Sequence, residues 1–288
     1  MFVKAIEQVS QAVRPMHIIR RRFSDNAILP DIATLFFVNE RGYAITSKRV
    51  ATVLQAANAV EQQYHAFLER KSHLTHDESY RFALKRLESD MKLNKDSVIQ
   101  IRFSFMGCAS GNVRIECKPH PKYDLALLHF VTDGQYLYRD HVTFAESAPK
   151  QGQTVCRVGF PMPEFHNFRY DADQDVILFT DTGKNASAQF ALDGMVTRYI
   201  ADGERTFGIE TTNAGTVGMN GSPLFDSEGK VIGLQSGIGL MMLGADIKME
   251  LPNQEPYLDR GALHLAVHTH LDVIKDFLRA QNVLFYEA

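Results

Sequence analysis

The chain has 288 residues, enough for one large domain or two small ones with a sizeable core. Its 45% hydrophobic and 23% charged residues are those of an ordinary globular protein. A net charge of -3 offers no basic excess for neutralising phosphates, which argues against nucleic acid as a partner, and no stretch approaches the ~18 consecutive apolar residues of a membrane span.

Phe2, Ile6, Val9 and Val13 recur at helical spacing, and Pro15 is expected to end that helix. Glu7 and Gln8 interrupt it, so it lacks the apolar segment of a signal peptide. Arg20-Arg21-Arg22 is the tightest basic run and is expected to be a solvated entry to the first strand. Ile32 to Thr46 reads as a hairpin turning at Asn39-Glu-Arg-Gly42. From about Thr52 to Asn94, a helical hairpin is expected. Val50, Val53, Leu54, Ala57, Val60, Tyr64, Phe67 and Leu68 form its first stripe. Thr75 and Glu78 read as the capping box of its second helix. Strands resume at Val98 to Phe105, Asn112 to Cys117 and in the run from His120 to Phe130. Gln135 to Ser147 is expected to close the first half.

Thr154 to Gly159, Asp193 to Val196, Ile209 to Thr212 and Gly261 to Val267 read as strands of the second half. Thr269 and Asp272 cap a closing helix whose Leu271, Ile274, Phe277 and Leu278 face inward. Between these lies the most distinctive stretch, Gly218 to Phe225. A turn at Asp226-Ser-Glu-Gly229 follows it, then an apolar run from Val231.

This stretch resembles the nucleophile loop of trypsin-like serine proteases, and most closely that of the bacterial HtrA/DegP branch, G-N-S-G-G-P-L-F followed by a turn and G-x-V-I-G-I. Gly218, Gly221, Pro223, Leu224, Phe225, Gly229, Val231, Ile232 and Gly233 fall in place without a gap. The serine position holds Asn220. The hairpin at Ile32 to Thr46 resembles the one that precedes the catalytic histidine, whose position holds Arg49. The run from His120 is similar to the family's D-P-x-x-D-L-A-L-L-K-V strand, which places Asp124 at the triad aspartate. The resemblance covers roughly residues 32–50 and 120–280.

Acyl transfer on this fold needs a hydroxyl nucleophile, a histidine base and an aspartate that orients the histidine. A guanidinium stays protonated at physiological pH, so Arg49 is no base. An amide nitrogen has no free lone pair, so Asn220 is no nucleophile. Ser222 sits two positions beyond the serine position, and His65 or His120 would have to swing toward the site to serve it. An aspartate beside an emptied histidine pocket invites a cationic partner, so an Arg49–Asp124 salt bridge, bidentate and sealing the centre, is expected.

The resemblance implies an all-β fold of two six-stranded antiparallel barrels, with an N-terminal helix, the inserted helical hairpin and a C-terminal helix. The expected divisions are an N-terminal helix and linker at 1–24, a first barrel at 25–148 and a second barrel with its helix at 149–288. The expected function is a pseudoprotease that binds a peptide or protein partner. Gly218 and Asn220 would be the oxyanion-loop remnant, and Leu234, Gln235, Ser236 and Gly237 the peptide-binding edge. The rival readings are a hydrolase of altered mechanism and a structural subunit that oligomerises through residues 52–94. Cys108, Cys117 and Cys156 are odd in number and lie in apolar runs, which implies free thiols and a cytoplasmic address. No cofactor or metal is expected; His264, His268 and His270 read as surface and capping residues.

Overall fold

The computed structural model describes residues 1–244, 247–249, 257–259 and 261–288. The first half runs α1 (Val3–Ser10), β1 (Val13–Arg22), β2 (Ile28–Phe37), β3 (Tyr43–Thr46), α2 (Lys48–Ser72), α3 (Tyr80–Asp90), β4 (Val98–Ser104), β5 (Val113–Pro119), β6 (Ala126–Thr132) and β7 (Thr143–Phe144). The second runs β8 (Thr154–Gly159), β9 (Phe168–Asp171), β10 (Val176–Phe179), β11 (Phe190–Asp202), β12 (Arg205–Thr211), β13 (Pro223–Phe225), β14 (Lys230–Met242), β15 (Ile247–Met249), β16 (Tyr257–Asp259), β17 (Ala262–His270), α4 (Leu271–Ala280) and β18 (Tyr286–Glu287).

Strands in the order β4-β1-β2-β3-β6-β5 form one antiparallel sheet. Strands β13-β8-β11-β12-β17-β14 form a second, which closes on itself because β13 also pairs with β14. The expected all-β architecture of two six-stranded units is therefore present. Alternation along β2 explains how the units share one body. Ala33, Leu35 and Phe37 fill the first unit with Met16, Ile18, Leu128 and Phe130. Ile32 and Phe36, on the opposite face, join Val155, Val158, Leu224 and Leu234 in the core that the two units share.

The first unit is not a closed barrel. No ladder joins β4 to β5, and α2 lies across that seam. Leu54 and Ala57 of α2, Ile101 and Phe103 of β4, and Ile115 and Cys117 of β5 line a cleft of about 560 Å³ there. Gln55 Nε2 donates to the Cys117 carbonyl at 3.4 Å, occupying part of the free strand edge. The inserted hairpin thus covers the barrel seam. On α3, Leu84 and Leu87 pack toward Tyr64 and Phe67, whereas Phe82 is exposed.

Several local expectations need correction. Pro15 does not end α1 but sits inside β1 opposite Thr34. Pairing of β1 with β4 begins only at His17, and Thr34 spends its own N–H and C=O elsewhere, so the missing proline N–H costs no ladder bond. The first sheet consequently starts at Val13 rather than 25, and β7 pairs with β14 of the second unit instead of closing the first. The N-cap of α3 is Ser79, because Thr75 Oγ1 turns to the Asp77 carboxylate at 3.2 Å. His270, not Thr269, caps α4, its Nδ1 accepting from the Asp272 N–H at 3.2 Å.

The basic run is split by strand alternation. Arg20 and Arg22 pair with Asp31 and Asp25 near the surface, whereas Arg21 points inward and is 1% exposed. Its guanidinium donates to Asn26 Oδ1 (3.0 and 2.8 Å), Gln100 Oε1 (3.3 Å) and the Asp175 carbonyl (2.8 Å), and it pairs with the Asp175 carboxylate. Tyr64 of α2 and Tyr170 of β9 donate their hydroxyls to that carboxylate at 2.9 and 2.7 Å. The hairpin of β9 and β10, a two-stranded sheet of its own, is thereby fixed to the first unit.

Candidate active-site cleft

Between β12 and β13 the chain makes a loop with a 3-10 turn at Val217–Met219. Two glycines let it approach the first unit. A Cβ on Gly218 would stand 2.8 Å from Ile32 Cγ2, and Gly221, at φ 91°, would drive one into the Thr34 carbonyl. Thr34 rivets the units together. Its N–H donates to the Asn220 carbonyl (3.1 Å), its hydroxyl donates to the Gly218 carbonyl (3.2 Å) and accepts from the Phe160 N–H (3.1 Å), and its carbonyl accepts from the Thr46 hydroxyl (2.8 Å).

This junction forms one wall of a cleft of about 350 Å³ lined by Arg49, Asp124, Val217, Asn220, Ser236, Gly237, Ile238 and Val267. The three positions singled out in the sequence thus meet, from α2, the turn before β6 and the loop before β13. Asp124 is held by its carbonyl, which accepts from the Thr269 hydroxyl at 3.1 Å. Its Oδ1 accepts from the Arg49 backbone N–H at 3.0 Å, in the first turn of α2. The helix N-terminus is therefore the main answer to its charge. Arg49 Nε stands 3.9 Å from Oδ2, a single long contact, and its side chain is 72% exposed. The expected pairing exists but is neither bidentate nor sealing, because the guanidinium leaves the first turn of α2 toward solvent. Oδ2 is buried without a donor, and burial pushes the Asp124 carboxyl above its ordinary pKa despite the Arg49 N–H and charge.

Asn220 is buried, its side-chain oxygen accepting from Gln235 Nε2 at 3.2 Å. Its backbone N–H donates to the Val217 carbonyl at 3.0 Å and so points into the turn. The expected edge from Leu234 to Gly237 is only half available. Leu234 pairs with both Pro223 and Thr269, and Gln235 exchanges backbone bonds with Gly221 (2.8 Å) and Ser222 (2.9 Å). Ser236, at a bulge in the ladder, and Gly237 reach the cleft.

Ser222 is 0% exposed, its hydroxyl lies against Gly159, and it does not line the cleft. His65 is exposed on α2 beside Glu61, and His120 Nδ1 accepts from the Lys122 and Tyr123 N–H groups. Neither lines the cleft. His264 is exposed and His270 caps a helix, but His268, expected at the surface, is enclosed in the second barrel. Arg157 in β8 is equally enclosed, and the sequence reading missed it. The available signal was a charge inside the apolar run Val155 to Val158. All three cysteines are free thiols, and burial pushes Cys108 up to about 12 and both Cys117 and Cys156 up to about 11. Among the described residues no group of three or more His, Cys, Asp and Glu is placed to hold a metal, and no helix is long and apolar enough to cross a membrane.

A search among curated proteins finds no match for the chain. A family model described as a trypsin-like peptidase domain matches residues 33–234, well over half of the chain, and the matched span contains β3 to β13 entire and all three cleft positions. The chain belongs to the family of trypsin-like peptidase domains.

Proposed function

We propose that the chain is a pseudoprotease of the HtrA/DegP type, which holds an extended peptide or a segment of a partner protein in the inter-barrel cleft without cutting it. Arg49, Asp124 and Asn220 occupy the histidine, aspartate and serine positions. Both groups that pass the proton, the hydroxyl and the imidazole, are then missing, and losing one already removes most of the catalytic advantage. Asn220 carries this reading. Its amide is no nucleophile, and its N–H, which an oxyanion hole would aim at the substrate carbonyl, is bound to the Val217 carbonyl instead. Asp124 acts as an acceptor for the start of α2. Ser236 and Gly237 supply the stretch of β14 along which an extended peptide would lie. Three unpaired thiols fit a reducing compartment such as the cytoplasm.

The test is treatment of homogeneous protein with a fluorophosphonate probe and with casein, beside peptide-array binding. No labelling, no turnover and specific retention of a peptide are the expected results. Labelling that disappears in Ser222→Ala or Ser236→Ala would favour a hydrolase of altered mechanism. Exposure of Phe82 favours a second role, self-association through the 52–94 hairpin. Light scattering tests it, since Phe82→Glu should then halve the particle mass.

A further inference from the structure

A cavity that shares no lining residue with the Asn220 cleft opens between α2, α3, the turn after β1 and the β9–β10 hairpin. It encloses about 650 Å³ against about 350 Å³ for the cleft, a size usual for small-molecule sites. One wall is aromatic. Tyr64 and Phe67, one turn apart on α2 and both buried, lie with their rings 20° from parallel, and Phe23 sets its edge on Phe67 with centroids 5.4 Å apart. The wall is fixed in place, because the Tyr64 hydroxyl is bound to the Asp175 carboxylate that Arg21 holds. That pair adds no net charge to the cavity, and every nitrogen of the Arg21 guanidinium already has an acceptor.

The remaining charged groups of the lining are unpaired. They are Lys71 in the last turn of α2, Lys95 on the loop before β4 and Glu88 on α3. Among the described hydrogen bonds and ion pairs, neither ammonium has an acceptor and the Glu88 carboxylate has no donor. Lys71 also offsets the C-terminal end of the α2 dipole, a duty that Lys95 does not have. Two cations against one anion leave a single positive charge unanswered beside an aromatic wall.

We propose that this cavity binds a small, flat aromatic molecule carrying one carboxylate, its ring on Tyr64 and Phe67 and its charge toward Lys71 and Lys95. Rings that stack or meet edge to face gain more than their buried area alone supplies. A carboxylate accepts charge-assisted hydrogen bonds from ammonium groups. Glu88 limits the charge, since a dianion such as a phosphate monoester would bring its second charge against a like one. The site is independent of the peptide-binding reading, and it gives the inserted hairpin a ligand of its own.

Calorimetric titration of the full chain at pH 8 with 2-naphthoate, 2-naphthamide, octanoate and 2-naphthyl phosphate tests it. Naphthoate should bind at least roughly tenfold more tightly than each of the others, because the amide lacks the charge, octanoate lacks the ring and the phosphate meets Glu88. Lys71→Gln with Lys95→Gln should bring naphthoate down to the affinity of the amide. Lys4→Gln with Lys85→Gln removes as much charge from exposed residues outside the lining and should change nothing. Glu88→Gln should bring the phosphate up to the affinity of naphthoate, with circular dichroism confirming the fold of each variant. No binding of naphthoate at millimolar concentration overturns the proposal. So does an affinity matched by any of the other three compounds, or an equal loss in the two lysine pairs.

Discussion

The pairing of the buried Arg21 with Asp175 makes a demand on stability that can be sized. Asp175→Ala would leave the guanidinium at 1% exposure with only neutral acceptors, the side chains of Asn26, Gln100 and Tyr170 and the carbonyl of residue 175. Breaking a buried pair from one side costs ~3–5 kcal/mol. Because the Asp175 side chain is itself 35% exposed, the lower end, about 3 kcal/mol, is expected. Arg21→Met keeps the length of the side chain and leaves a carboxylate that water and the Tyr64 and Tyr170 hydroxyls still serve, so ~1–2 kcal/mol is expected. For a chain of this size each kcal/mol lowers Tm by roughly 2–4 °C, so calorimetry should find a fall of roughly 6–12 °C for Asp175→Ala and a smaller one for Arg21→Met. The double variant should lose less than the sum of the singles. Burial pushes the Asp175 carboxyl up, but hydrogen bonds from Tyr170, Arg21 and Tyr64 outweigh it and hold the group below 3.8. Its contribution is therefore complete at neutral pH and is lost as pH falls below that value toward the folded pKa. Additive singles, or an Asp175→Ala protein within about 1 kcal/mol of wild type, would refute the assignment of the β9–β10 hairpin as a clamp.

Three further outcomes are expected. Gly221→Ala should cost at least ~2 kcal/mol in urea unfolding, since φ 91° and the Thr34 carbonyl both exclude a Cβ; a near-neutral result would contradict the described loop. Asp124 has a raised folded pKa, so ionising it destabilises the native state as pH rises above 3.8. Asp124→Asn should accordingly be more stable than wild type at pH 7 and no different near pH 3; lower stability at pH 7 would show that its charge is needed. Excising residues 52–94 should yield aggregated or unfolded protein, because it uncovers the unpaired edges of β4 and β5; a monomeric, folded product would show that α2 is dispensable to the barrel.

The sequence carried both hairpins flanking the cleft because their turns are written locally, in Asn39 to Gly42 and Asp226 to Gly229, where Gly42 and Gly229 take φ of 78° and 81°. The inward face of α4 was equally legible, since Leu271, Ile274, Phe277 and Leu278 are all buried at helical spacing. Long-range partners were not written locally. Whether Pro15 ends a helix or joins a strand depends on where β4 begins to pair, and Arg21 is buried only because an aspartate 154 residues later completes it. Leu234 and Gln235 look like a free edge until Pro223 pairs with the first, and Gly221 and Ser222 bond the second. At the cleft, the sequence singled out Arg49, Asp124 and Asn220, and all three line one cavity. It did not reveal that the backbone N–H of Arg49, rather than its guanidinium, is the nearer partner of Asp124.

The central claim is that the cleft binds but does not cleave, and a single titration puts it to the test most directly. Wild type, Asp124→Ala and Ser236→Ala are incubated with a quenched peptide library read at once by mass shift and by fluorescence release. Peptide retained intact by all three proteins, with no fluorescence gained over the buffer rate, is the predicted result. Fluorescence that rises with wild type and falls away in either variant would contradict it.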